Sequence, residues 1–296
     1  MVCLVALGGG ILAGVALYRM KRASNAALFS RLPAADAVVV SIDFRALRKA
    51  GVLGVLGSSG MVQEPEYRAF VDQTRFDYLS DLDAALVSFH PHGTYLLLRG
   101  KFDWKKLREY TVRQGGRCDN TLCRVAGSAP DRKISYFPLY PNVMAAAVSR
   151  NESAATELQA GRSGPGFAMP EDPVWSFIPI RAIRNGEQVP AGTRAFARAL
   201  EGADAVLLSV APEGGEIVLK MDASCRSVGD ARAVVAELRD TTARLRDLIA
   251  REHQTPNASD LSGVLAAGAF DAKDTHALGR WPIERSFLES LAGGAR

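Results

Sequence analysis

The chain has 296 residues, of which 48% are hydrophobic and 23% charged, and its net charge is +4. That is apolar material enough for one large domain or two ordinary ones, with the charge balance of a globular protein. Lys and Arg are scattered, with no block of five or six, which argues against a nucleic-acid footprint.

The first 18 residues, MVCLVALGGGILAGVALY, carry no charge, and Arg19, Lys21 and Arg22 follow at once. Such a run sits at the lower limit for crossing a bilayer and predicts a transmembrane anchor over residues 1–22, with membrane contact through residues 1–20. A cleaved signal peptide is the competing reading. Against it, the basic n-region is missing and the basic cluster stands where cleavage belongs, with Ala26 after Ser24 as the nearest site. Gly10 and Gly14 form a GxxxG within the apolar run, a motif that could join two anchors as a homodimer.

Beyond the connector, Ala37–Phe44 (AVVVSIDF) is β-branched and predicts a strand. Arg45–Leu56 and Glu64–Phe76 read as helical segments. Ala85–His90 and Thr94–Arg99 flank His-Pro-His-Gly and predict a hairpin. Asp103 is a candidate N-cap for WKKLREYTVRQ, which Gly115 and Gly116 stop.

Cys118 and Cys123 bracket four residues in GGRCDNTLCRV, a spacing that suits a disulfide across a tight hairpin. A reduced pair and half of a metal site are the alternatives, although no second Cys or His pair completes such a site. A disulfide places the body outside the reducing cytosol, whereas the basic residues after the span favour a cytoplasmic body. We take the extracytoplasmic, periplasmic reading.

Lys133–Phe137 and Val143–Ser149 predict strands, and Asn151–Ala160 a helix. GRSGPGFAMPEDP then holds three glycines and three prolines, a linker composition. After it, Val174–Ile180 predicts a strand and Thr193–Leu200 a helix. A hairpin follows, Ala205–Ala211 with Glu216–Cys225. The helix Asp230–His253 has an apolar stripe through Val234, Val235, Leu238, Leu245 and Ile249. The tail predicts a helix or strand at Leu261–Phe270, a strand at His276–Arg280 and a helix at Pro282–Leu291.

Strand, helix, hairpin, helix, strand thus occurs on each side of the linker. The expected fold class is α+β: a transmembrane helix over residues 1–22, then two ferredoxin-like split βαβ modules with antiparallel sheets and helices on one face. The modules span residues 23–162 and 174–296, joined by a linker at 163–173.

No reactive constellation stands out. His90 and His92 read as turn residues, because a metal site needs three or four ligands. Asp81 and Asp83 alternate ahead of a strand and fit capping or solvation. Ser209, Ser224 and Ser227 lack a Gly-x-Ser-x-Gly elbow, and Cys225 reads as a buried thiol. His253 suits a helix C-terminus, and His276 has no motif partner. No catalytic, cofactor-binding or metal-binding residue is expected.

The segments LPAADAVVVSIDFRALR, RGKFDWKKL, KISYFPL and GRWPIERSFLE resemble a group of single-span, membrane-anchored, extracytoplasmic bacterial proteins of unknown function. The resemblance implies a non-enzymatic envelope protein. Two functions are expected to compete: a protein-binding or scaffold module, or a small-molecule binder or weak hydrolase with a site between the halves. An exposed mixed surface favours the first, and a pocket of perturbed ionisable groups the second.

Overall fold

The structure, a computed structural model, describes residues 24–53, 65–127, 129–161, 167–184, 193–214 and 216–292. A short helix, α1 (Asn25–Phe29), is capped by the Ser24 hydroxyl and leads to β1 (Val38–Asp43). At the end of β1 the Asp43 carboxylate accepts the Ala46 N–H at 2.8 Å and starts α2 (Phe44–Lys49). Helices α3 (Pro65–Thr74) and α4 (Tyr78–Asp81) precede the hairpin of β2 (Leu82–His90) and β3 (Gly93–Gly100). Asp103 caps α5 (Trp104–Arg113), which ends at Gly115, whose φ of +75° suits glycine. Next come β4 (Arg117–Asp119), β5 (Leu122–Ala126), β6 (Lys133–Tyr140), β7 (Val143–Ser149) and a 3₁₀ helix (Ala154–Gln159).

The second half starts with β8 (Val174–Pro179), α6 (Ile180–Arg184) and α7 (Arg194–Ala199). The hairpin of β9 (Ala203–Glu213) and β10 (Glu216–Cys225) leads to α8 (Val228–Arg251), capped by Ser227. The chain closes with α9 (Leu261–Ala266), β11 (Ala269–Lys273), β12 (His276–Ile283) and α10 (Arg285–Ala292).

All twelve strands form one sheet, in the order β11-β12-β10-β9-β8-β1-β2-β3-β7-β6-β5-β4. This corrects the expectation of two ferredoxin-like modules. A split βαβ unit contains a parallel pair, and every pair here is antiparallel. The repeat of element order is real but takes another form: β1-β2-β3-β7-β6 in one half, β8-β9-β10-β12-β11 in the other. The halves fuse because β1 pairs with β2 on one side and β8 on the other. β8 carries Trp175 and Phe177 on one face and Val174 and Ile178 on the other, and β1 buries Val39 and Ser41 opposite Val38, Val40 and Ile42, which suits the middle of a sheet and not an edge.

Directly paired residues share a face. On one face a row runs Cys123, Tyr136, Ala146, Leu96, Val87, Val40, Ser176, Leu208, Met221, Gly279, Phe270. Leu107 of α5 packs over its β5–β7 end, and Val234, Val235 and Leu238 of α8 over its far end. As expected, α8 hides Val234, Val235, Leu238 and Ile249, with Leu245 partly buried.

The opposite face is covered over the first half by Leu28 and Phe29 of α1, by Leu32, and by Ala154, Ala155 and Leu158 of the 3₁₀ helix. Arg31 ties this cover together, donating to the carbonyls of Leu158 and Gln159 and to the Tyr140 hydroxyl. Phe167 and Met169, from the Gly/Pro-rich segment, join the same core.

The transmembrane helix expected at the N-terminus is not seen, and no helix among the described residues is long and apolar enough to cross a membrane. Residues 1–20, including Gly10 and Gly14, lie outside the described residues, as do the membrane and homodimer contacts expected there. Two boundaries also differ from expectation. The 151–160 segment forms a 3₁₀ helix, and β12 runs on through Pro282 to Ile283, paired to Ile217 of β10.

Candidate functional site

A second lateral row locates the site. On the face away from α8 it runs Phe137, Ala145, Leu97, Leu86, Ser41, Trp175, Ser209, Lys220, Arg280. Every member from Phe137 to Ser209 is buried. Then the row changes character: the side chains of Lys220 and Arg280 are 36% and 51% exposed. Beyond β9 the face is mixed: Val218 and Ala211 on it stay buried, while Lys220, Asp222 and Arg280 are partly exposed.

A concavity of about 390 Å³ lies there. Leu207 and Leu278 form its apolar part, and Ser209, Glu213, Lys220, Asp222 and Arg280 its polar part. Lys220 Nζ lies 2.6 Å from Glu213 Oε1 and 3.8 Å from Asp172 Oδ2. Arg280 reaches the other Glu213 oxygen at 3.5 Å. Asp172, near the end of the Gly/Pro-rich segment, also accepts the Ser209 hydroxyl at 2.6 Å. The segment read as a linker therefore supplies a carboxylate that holds two lining residues, Ser209 and Lys220.

The chemistry of these groups is that of ion pairs. The hydrogen bond from Lys220 holds the Glu213 carboxyl below its ordinary range, and Glu213 in turn pushes the Lys220 ammonium up. A general acid needs a raised carboxyl, and a nucleophilic lysine a lowered ammonium. Both shifts here run the other way, so both groups stay charged.

Asp222 and His276 share this face, with His276 Nδ1 2.6 Å from Asp222 Oδ1. Ser224 is the direct cross-strand partner of His276. The three residues match a hydrolytic triad in type, but their bonding does not match it. The Ser224 hydroxyl donates to the Ala205 carbonyl at 3.4 Å, and no Ser224–His276 hydrogen bond forms among the described residues. The backbone N–H groups of paired strands are committed to the ladder, which leaves no oxyanion hole.

The other sequence candidates are dispersed. Cys118 and Cys123 form the expected disulfide, as direct partners on β4 and β5. Cys225 is a buried free thiol whose pKa burial raises. His90 and His92 sit at the β2–β3 turn with ring centroids 5.0 Å apart, and the His92 N–H donates to His90 Nδ1. Asp81 accepts the Asp77 N–H, and Asp83 pairs with Arg45 and Arg48. His253 stands just beyond α8 with φ +55°. Among the described residues no group of three or more His, Cys, Asp or Glu could hold a metal ion.

Sequence reasoning missed Asp172, Glu213, Lys220 and Arg280. One signal was available: Lys220 and Asp222 alternate with Leu219, Met221 and Ala223 along β10, the mark of a strand with one wet face. The convergence of the other three depends on pairing that spacing does not reveal.

No known family pattern and no curated protein matches the chain. Among solved structures it is similar to crystal form III of a protein called TP0453, with a TM-score of 0.50 and 9% identity, covering 89% of this chain and 97% of the other. Form I gives 0.48 at 9% identity, covering 90% and 98%, and form IV 0.46 at 10%, covering 88% and 96%. At this identity the likeness to form III speaks to the fold alone.

Proposed function

We propose that this chain is a non-catalytic binding module of an extracytoplasmic compartment, and that it receives a partner protein on the mixed face of β9, β10 and β12. The observation that carries this reading is the row through Ser209, Lys220 and Arg280, where a buried floor becomes a partly exposed, mixed surface with no helix over it among the described residues. Charged groups beside Leu207 and Leu278 give such a surface both apolar contact and charge selection. The alternative, a small-molecule binder or weak hydrolase, calls for ionisable groups tuned away from their ordinary charge. Glu213 and Lys220 are shifted in the opposite sense.

The Cys118–Cys123 disulfide supports the compartment, since such bonds persist in oxidising surroundings. The test is co-purification from the native envelope with wild type, with Leu207→Asp plus Leu278→Asp, and with Leu248→Asp on the other face as the control. The reading expects a defined partner that wild type and the control retain and the double variant loses. Equal recovery with all three overturns it.

A further inference from the structure

The covered face also runs out onto charged surface at its other end. Arg117 and Arg124 are direct cross-strand partners on β4 and β5, and their row continues to Ser135. Like charges placed opposite each other in a sheet are destabilising, and here the neighbouring Cys118–Cys123 bridge fastens the same two strands.

The two arginines line a cup of about 180 Å³ with Lys133, Glu152, Val125 and Ala126. The guanidinium of Arg124 is preset: it donates to Ser153 Oγ at 3.2 and 3.3 Å and pairs with Asp119 at 2.6 Å, and its side chain is only 18% exposed. Arg117 is 63% exposed and pairs with Glu152 at 2.6 Å. Lys133 has no ion-pair partner among the described residues. Three cations thus face one small space, and two carboxylates, Glu152 and Asp119, answer them.

We propose that this cup binds a phosphate dianion, either free or at the end of a small monoester. Arg124 and Lys133 would be the direct partners, with Arg117 closing over the anion once it leaves Glu152. The size agrees, since a cup of about 180 Å³ has room for a phosphate group together with bound waters. Arginine forks suit tetrahedral oxyanions, and lysine adds a point charge. The site is separate from the face proposed for the partner protein and stands whether or not that proposal does.

The experiment is calorimetric titration of the full chain with inorganic phosphate and with glycerol phosphate, at constant ionic strength in chloride. Saturable one-to-one binding is expected, weakened about tenfold or more by Lys133→Met and recovered by Lys133→Arg. Lys133 holds no ion pair among the described residues, so its removal should leave the fold intact, which circular dichroism checks. Tighter binding of one probe identifies the free or the esterified form. Absence of saturation with both probes at tens of millimolar overturns the proposal, as does a Lys133→Met variant that binds like wild type.

Discussion

Val39 of β1 and Phe177 of β8 are direct cross-strand partners, and Val39 is fully buried at the seam between the halves. Phe177 in turn stacks on Phe167 at 4.3 Å. The Gly/Pro-rich segment is thereby packed onto the strand that joins the halves.

One consequence concerns cooperativity. Val39→Asp buries an unpaired charge at the seam and should cost about 3 kcal/mol or more. Because the sheet is continuous, Trp175 in one core and Trp281 in the other should lose their environments in a single transition. Denaturant unfolding followed with single-Trp versions checks this. A Trp281 signal that keeps its own, unshifted midpoint would contradict the single sheet.

The disulfide carries a second prediction. Closing so short a loop removes conformational freedom from the unfolded chain worth roughly 2 kcal/mol in the chain-entropy model. Replacing both Cys118 and Cys123 by Ala should lower stability by about that amount. Alkylating native cells before lysis should find both sulfurs unreactive. Free thiols there would place the body in a reducing compartment.

Leu238 is 1% exposed and belongs to the core that α8 forms with the far end of the sheet. Leu238→Ala should therefore cost about 2–5 kcal/mol, while Leu248→Ala, at a position 53% exposed, should cost about 0.5 kcal/mol or less. Chemical denaturation of the two variants reads the difference.

Asp260 caps α9, accepting the Gly263 N–H at 2.9 Å, and this bond holds its carboxyl below its ordinary range. A depressed carboxyl contributes stability that is fully present above its unfolded pKa and lost as pH falls through the folded value. Asp260→Ala should cost about 1 kcal/mol at pH 7, and the gap from wild type should close as the pH drops below the carboxylate range. Melting curves of both proteins at neutral and strongly acid pH measure it. A gap that persists or widens in acid would mean that the charge of Asp260 does not stabilise the helix.

The elements were largely legible because each is written locally. AVVVSIDF has strand composition, His-Pro-His-Gly makes a turn, and the stripe through Val234, Leu238 and Leu245 has the period of a helix. The partner of β1 was not legible. A strand that is apolar on both faces needs two neighbours, yet nothing in its residues says that β8, beyond a Gly/Pro-rich stretch, is one of them. That stretch misled for a related reason. Its glycines and prolines read as a linker, while Phe167 and Met169 within it pack on the core and Asp172 bonds Ser209 at the site's edge. The charged site followed the same logic: Lys220 and Asp222 showed that β10 has a wet face, but Glu213, Asp172 and Arg280 join them only through the sheet.

The most direct test of the partner-binding face is site-specific photo-crosslinking in the native envelope. A photoreactive residue at position 280, on the mixed face, is compared with one at position 248, on α8. Both sites are about half exposed, Arg280 at 51% and Leu248 at 53%, so they sample solvent alike. The account predicts one discrete protein adduct from position 280, abolished by Leu207→Asp with Leu278→Asp, and none from position 248. The same adducts from both positions, or an adduct from 248 alone, would contradict it.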